Sequence, residues 1–340
     1  MRQTYTFDDV LLVPKYSEIE SRSQVDLSSA LDDKTVLRLP LISSPMDTVT
    51  ETAMAVALDS AGAMGVVHRY NTSCEQAALV SKAYAAGAQN IAAAIGMTGD
   101  YMTRSAELAK AGANVLCIDV AHGHHIMMKS CLANLKNAFS DDVHIMAGNV
   151  ATLDAFEQLA DWGADSVRVG IGGGSICSTR IVTGHGVPTL QSILDCSKTT
   201  YETKIIADGG IKTSGDMVKA LAAGADFVMV GSMLAGTRES PGETLRDNAG
   251  KRYKVYRGMA SSEAQRSWRG KSSTPEGVAT TIPYKGSVSR VIQNIDGGIR
   301  SGMSYTGATT LEQFRSKCDF IVQTQAGQSE SNTHILWRNK

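Results

Sequence analysis

The chain has 340 residues, of which 43% are hydrophobic and 20% charged, with a net charge of −1. That composition suits a globular protein with a large core. It carries neither the basic excess of a nucleic-acid binder nor a basic amphipathic stretch for a membrane surface. In chain order, the opening segment holds Asp8 and Asp9 and no long apolar run, so no signal peptide is expected. No window reaches the roughly eighteen apolar residues of a membrane helix. A cytoplasmic protein is the expectation. The six cysteines include no CxxC pair and form neither a disulfide framework nor a zinc site.

One pattern then repeats. Short apolar runs at 41–44, 63–68, 90–96, 115–120, 144–148, 166–170, 204–208 and 227–231 end at or beside a Gly, Asp, Ser or His. Continuous apolar runs of this length suit parallel strands buried on both faces. Helical periodicity fills the intervals, for example at 50–61, 74–86, 101–111, 153–162 and 214–223, and several helices close on Ala-Gly-Ala. A glycine just past a helix supplies the left-handed cap. Eight strands alternating with helices predict a parallel sheet closed as a (β/α)8 barrel in one domain, residues 1–325. An open doubly wound sheet is the alternative. From 239 to 285 the chain is polar with little periodicity and reads as a long irregular lid or disordered loop, with a flap at about 261–281. Apolar pattern returns at 288–299 and 311–320, and the polar tail at 326–340 is expected to be disordered.

In such a barrel the chemistry sits on loops at the carboxyl ends of the strands. After strand six, Gly170-Ile171-Gly172-Gly173-Gly174-Ser175-Ile176-Cys177-Ser178-Thr179 brings clustered glycines to a single thiol. Glycines let backbone groups approach a ligand or ion closely. A lone cysteine is more often a small buried hydrophobe, but here it follows a Gly-rich turn and is flanked by hydroxyls, a place for a nucleophile. After strands seven and eight come Asp208-Gly209-Gly210 and Gly231-Ser232, the two loops that commonly hold phosphate in barrels. Asp208 would accept from a sugar hydroxyl. After strand four, Asp119 suits a cofactor hydroxyl. His122, His124 and His125 nearby lack a Cys or carboxylate at ligand spacing, so zinc is not expected. No GxGxxG follows an early strand, so a Rossmann fold has no support.

These residues resemble the IMP dehydrogenase / GMP reductase family from about residue 7 to 325. The anchors are Ser43 to Val49, the Cys177 loop, Ala207 to Ile211, Gly231 to Thr237, Tyr256 to Met259 and Pro275-Glu276-Gly277. The resemblance implies that Cys177 adds to purine C2 and forms a thioimidate, with Thr179 and Glu276 relaying a proton. It implies that Ser44, Met46, Ser175, Asp208, Gly209, Gly210, Gly231, Ser232, Tyr256, Gly258, Met259 and Gly277 hold a purine nucleotide. Carbonyls of Gly172, Gly174 and Cys177 would coordinate potassium.

Two reactions share that intermediate: oxidation of IMP with NAD followed by hydrolysis, or deamination of GMP followed by reduction with NADPH. Three features of the resemblance point to the reductase. Only about twenty residues separate His68 from Asn90, so the CBS modules usual in dehydrogenases are absent there. The flap from Met259 to Glu276 is short and has no Arg-Tyr pair to activate water. Ser21 and Arg22 match a reductase pair that contacts NADPH, and Arg69 stands where reductases place a basic residue. Asp119, Val120 and Ala121, with Ser304, Tyr305, Thr306 and Gly307, would complete the cofactor site. Against this, Ser43-Ser44-Pro45-Met46 and Tyr256-Arg257-Gly258-Met259 read more like dehydrogenases, and Ser273 replaces an arginine of some reductases. The expectation is a potassium-dependent, homotetrameric GMP reductase. The alternatives are an IMP dehydrogenase without CBS modules, or an inactive nucleotide-binding paralogue.

Overall fold

The computed structural model describes residues 1–333. Eight parallel strands close into a barrel, and each coincides with one of the apolar runs. They are β1 (Leu41–Ser43), β2 (Met64–Val67), β3 (Ile91–Ile95), β4 (Val115–Asp119), β5 (His144–Val150), β6 (Ser166–Val169), β7 (Lys204–Asp208) and β8 (Phe227–Val230). Every neighbour pair is parallel, and Val228 opposite Leu41 closes β8 onto β1. The open-sheet alternative is thereby excluded.

Side chains alternate across a strand, and here both faces are apolar. Ile42, Met64, Val66, Ala92, Ala94, Val115, Cys117, Met146, Ile206, Phe227 and Met229 pack inside the barrel. Leu41, Val67, Ile91, Leu116, Ile145, Ile205 and Val228 pack outward against the helices. That is why the strands read as continuous apolar runs rather than as alternation. The helices after β1, β2, β3, β5 and β7 span Thr52–Ser60, Ser73–Ala85, Tyr101–Ala111, Leu153–Asp161 and Ser214–Ala222. Gly62, Gly87, Gly112 and Gly224 take positive φ just past four of them, as the Ala-Gly-Ala turns predicted.

Two features lie outside the repeat. A hairpin (Ser29–Ala30 with Val36–Leu37) pushes Leu31 and Leu37 into the bottom of the barrel. Near the termini, Val10–Leu12 pairs antiparallel with Phe320–Val322. The segment expected to be irregular after β8 is instead ordered as a three-stranded antiparallel sheet (Leu245–Arg246, Arg252–Arg257, Ala279–Pro283) and a helix, Ser262–Arg269. The inward residues of its middle strand include Lys254 and Tyr256, so a hydrophobic pattern does not reveal it. Ser261 accepts from the Ala264 N–H to start the helix, and Gly270 ends it in the left-handed region. Of the tail expected to be disordered, the part up to Glu330 belongs to a short helix, Gln325–Glu330, and residues 334–340 lie outside the described residues. Among the described residues no helix is long and apolar enough to cross a membrane.

Candidate active site

The loops at the carboxyl ends of the strands, roofed by the sheet and helix after β8, enclose a cleft of about 610 Å³. All the expected nucleotide, catalytic and potassium residues line it, as do Arg69, Asp119, Val120 and Ala121. Ser21, Arg22, Ser304, Tyr305, Thr306 and Gly307 do not. Ser21 caps the turn Arg22–Gln24, and the Tyr305 carbonyl accepts from the Lys15 N–H. This second group therefore belongs to a different face of the chain.

The Cys177 loop is packed backbone against backbone. A Cβ on Gly170 would stand 1.8 Å from the Asp208 carbonyl oxygen, and one on Gly209 would meet the Gly174 nitrogen at 3.1 Å. Both glycines also have positive φ, 147° and 91°. Close approach thus explains the glycines that made the loop conspicuous. Cys177 is half-buried, with its sulfur 3.2 Å from the Thr179 hydroxyl. The flap's return strand is sewn to this loop: Ser178 N–H donates to the Glu276 carbonyl at 3.0 Å, and Val278 N–H to the Ile176 carbonyl at 3.0 Å. That ladder brings Glu276 beside Cys177 and Thr179.

At the β7 and β8 end, Ser44, Met46 and Tyr256 converge on Gly231, whose hypothetical Cβ would lie 3.2 Å from the Met46 sulfur and 3.3 Å from the Tyr256 hydroxyl. Tyr256 is 5% exposed, and burial raises its pKa, so it stays a donor. Its hydroxyl lies 3.4 Å from that of Ser175.

The floor holds an ion cluster that the sequence reading missed. Arg168 in β6 donates to Asp119 at 2.7 Å and to Asp208 at 2.9 Å. Burial alone would lower the arginine's pKa, but Cys117, Asp208 and Asp119 more than reverse this, and it stays charged. Asn149 also donates to Asp208, at 2.9 Å. A charged residue within an apolar strand, with the same inward parity as Ser166, was the available signal. Asp119 is two residues past inward Cys117, and Asp208 two past Ile206, so all three side chains meet inside the rim. Gly148 leaves the space, since a Cβ there would sit 2.6 Å from Arg168 Cβ.

On the far side of the cleft, Arg69 donates to the Asp119 carbonyl at 3.0 Å, and Tyr70 packs edge-on against Trp268 of the flap helix at 5.2 Å. Arg257 forks onto Asp47 and ties the flap to the loop after β1. Among the described residues the Arg69 Nε and Trp268 Nε1 atoms are buried without a hydrogen-bond partner, Arg69 Nε lying 3.8 Å from an Asp119 carboxylate oxygen. Buried polar atoms are normally paired, so this side of the cleft suits a polar ligand such as a dinucleotide. The backbone carbonyls of Gly172, Gly174 and Cys177 are oxygen donors of the kind a hard cation takes. Two of the three histidines after β4 are turned to other tasks: His124 lies 2.6 Å from the Gln158 side-chain oxygen, and His125 caps the next helix.

A family model described as "IMP dehydrogenase / GMP reductase domain" matches residues 4–334. The chain belongs to the IMP dehydrogenase / GMP reductase family. It is 36% identical to the inosine-5'-monophosphate dehydrogenase of Nitrosopumilus maritimus, covering 98% of each protein. It is 38% identical to the enzyme of the same name from Cryptosporidium parvum, covering 97% of this chain and 94% of that one. The alignment to the Nitrosopumilus protein runs over 470 positions against the 340 residues here. The fold also matches a GMP reductase from Trypanosoma brucei in complex with guanosine 5'-monophosphate, with a TM-score of 0.92, 30% identity and 98% coverage of both chains. Members of the family are nicotinamide-dependent oxidoreductases of purine metabolism, and the (β/α)8 barrel is theirs.

Proposed function

We propose that this enzyme is a GMP reductase, converting GMP to IMP and ammonia with NADPH. The observation that carries the reading is the flap. Between Met259 and Glu276 it offers no Arg-Tyr pair, and its Arg269 lies over the Trp268 ring at 4.3 Å. Without that pair to activate water, the covalent intermediate lacks the hydrolytic exit that the pair would supply.

The Cys177 thiolate adds to C2 of the purine, while Ser175, Gly231, Ser232 and Tyr256 hold the phosphate and Asp208 the ribose. Thr179 and Glu276 pass a proton to the 2-amino group, which leaves as ammonia and yields a thioimidate on Cys177. Asp119, Val120 and Ala121 would hold NADPH, which when bound would supply a hydride for C2. The C2–S bond then breaks and the thiolate is restored. The flap excludes water throughout. Potassium on the Gly172, Gly174 and Cys177 carbonyls would hold the catalytic loop in shape. A second reading, IMP dehydrogenase, is favoured by the names of the curated relatives.

Absorbance at 340 nm separates the two. A fall with GMP and NADPH, and no rise with IMP and NAD, is expected. A rise with IMP and NAD alone would replace the reductase by the dehydrogenase. Cys177→Ala should abolish turnover and leave nucleotide binding within a few-fold, because the loop's hydrogen bond from the Cys177 N–H to the Gly174 carbonyl uses only backbone. Near-full activity in that variant would refute the covalent route. An idle nucleotide-binding protein would show binding and neither absorbance change.

A further inference from the structure

Lys285 follows the last flap strand, Ala279–Pro283, and its backbone N–H donates to the Gly236 carbonyl at 2.8 Å. Its ammonium reaches back beneath the turn after β8, donating to the Ser232 carbonyl at 2.6 Å and the Met233 carbonyl at 3.1 Å. The opposite side of that turn, Gly231 and Ser232, lines the cleft. The stem of Lys285 is exposed, but its ammonium has exchanged water for carbonyls, and this loss of water pushes its pKa down.

No carboxylate among the described residues lies within ion-pair distance of it. Two other lysines at this end are held differently. Lys212 is held by both carboxylate oxygens of Asp8, at 2.9 and 2.7 Å. Lys254 is buried against the Thr237 and Ser240 carbonyls, with Glu239 beside it. Among the described residues Lys285 is thus a positive charge without a counter-ion, one residue's thickness from the proposed phosphate site. A partly desolvated cation in that position favours an anion arriving on the far side of the turn.

The geometry points to Lys285 as a specificity-determining residue that selects phosphorylated nucleosides over unphosphorylated ones, acting through the Gly231–Ser232 turn. The inference rests on the phosphate reading of that turn, but not on which of the two reactions the enzyme performs, since IMP takes part in both. It predicts a loss confined to ligands that carry phosphate.

Titration calorimetry with IMP and with inosine tests it, on the wild type and on Lys285→Gln and Lys285→Arg. Glutamine keeps a hydrogen-bond donor for the Ser232 carbonyl and removes the charge, whereas arginine keeps the charge. The expected result is an IMP dissociation constant raised about tenfold in Lys285→Gln, inosine binding unchanged, and IMP binding largely kept in Lys285→Arg. Equal weakening of IMP and inosine would mean that Lys285 only braces the turn, and no weakening would mean that its charge is irrelevant; either overturns the proposal. Wild-type protein that bound inosine as tightly as IMP would instead remove the phosphate reading itself. Thermal melts of all three proteins confirm that folded samples are compared.

Discussion

Arg168 shows what one side chain does at the meeting point of two subsites. It lies beneath the cleft at 5% exposure and joins the carboxylate assigned to the ribose, Asp208, to the carboxylate assigned to the cofactor, Asp119. Removing one member of a buried ion cluster leaves the remaining charges unpaired, which costs about 3–5 kcal/mol. Arg168→Met should therefore lose stability of that order in urea unfolding and lose activity with it. Arg168→Lys should fall between, because a lysine keeps the charge but not the fork that reaches both carboxylates. A loss well under about 1 kcal/mol in the methionine variant would mean that the cluster is held by other groups. Arg168 also marks the limit of reading residues singly. Cys177 and Asp208 stand in Gly-rich loops whose closeness demands glycine, so they are visible from local sequence. Arg168 becomes visible only once β6 has a parity and a barrel to point into.

At the scale of elements, legibility follows from what each element buries. The barrel strands bury both faces, and their boundaries fall within two residues of the apolar runs. The sheet over the cleft turns Lys254 and Tyr256 inward, so nothing in its hydrophobicity separates it from a loop. The hairpin that plugs the bottom was equally hidden, because four paired residues make too short a signal. Its anchor is polar. Asp32 accepts from the Lys34 and Thr35 N–H groups at 2.8 and 2.7 Å and lies 2.9 Å from His144, whose other ring nitrogen lies 2.8 Å from Ser166. Burial alone would raise the Asp32 pKa, but the hydrogen bonds from His144 and the two backbone groups lower it to about 2. A carboxyl depressed on folding contributes stability above its unfolded value of 3.8, and that contribution is lost as pH falls towards about 2. Asp32→Asn should therefore melt at a lower temperature at neutral pH. It should also show a shallower decline than wild type between about pH 4 and about pH 2. Parallel acid profiles for the two proteins would show that the hairpin is held by Leu31 and Leu37 alone.

For the whole molecule, the open question is why residues expected around one cofactor lie on two faces. Arg69 and Asp119 line the cleft, whereas Ser21, Arg22, Ser304, Tyr305, Thr306 and Gly307 gather where the N-terminal segment crosses the last long helix, Val288–Ser304. Tyr305 is 61% exposed there. A homotetramer resolves the separation if this second face of one subunit completes the cleft of its neighbour. Cyclic assemblies repeat such a head-to-tail contact at every interface. The arrangement is testable without a structure of the assembly. Arg22→Ala and Cys177→Ala, each inactive or nearly so alone, would be unfolded together and refolded as mixed oligomers. A cleft then works when its own chain keeps Cys177 and its neighbour keeps Arg22, which random mixing satisfies in about a quarter of clefts. Recovery towards that fraction of wild-type activity would place Arg22 in the neighbour's cleft. If Arg22 served its own cleft instead, every chain in the mixture would carry one defect in its own site, and refolding together would restore nothing.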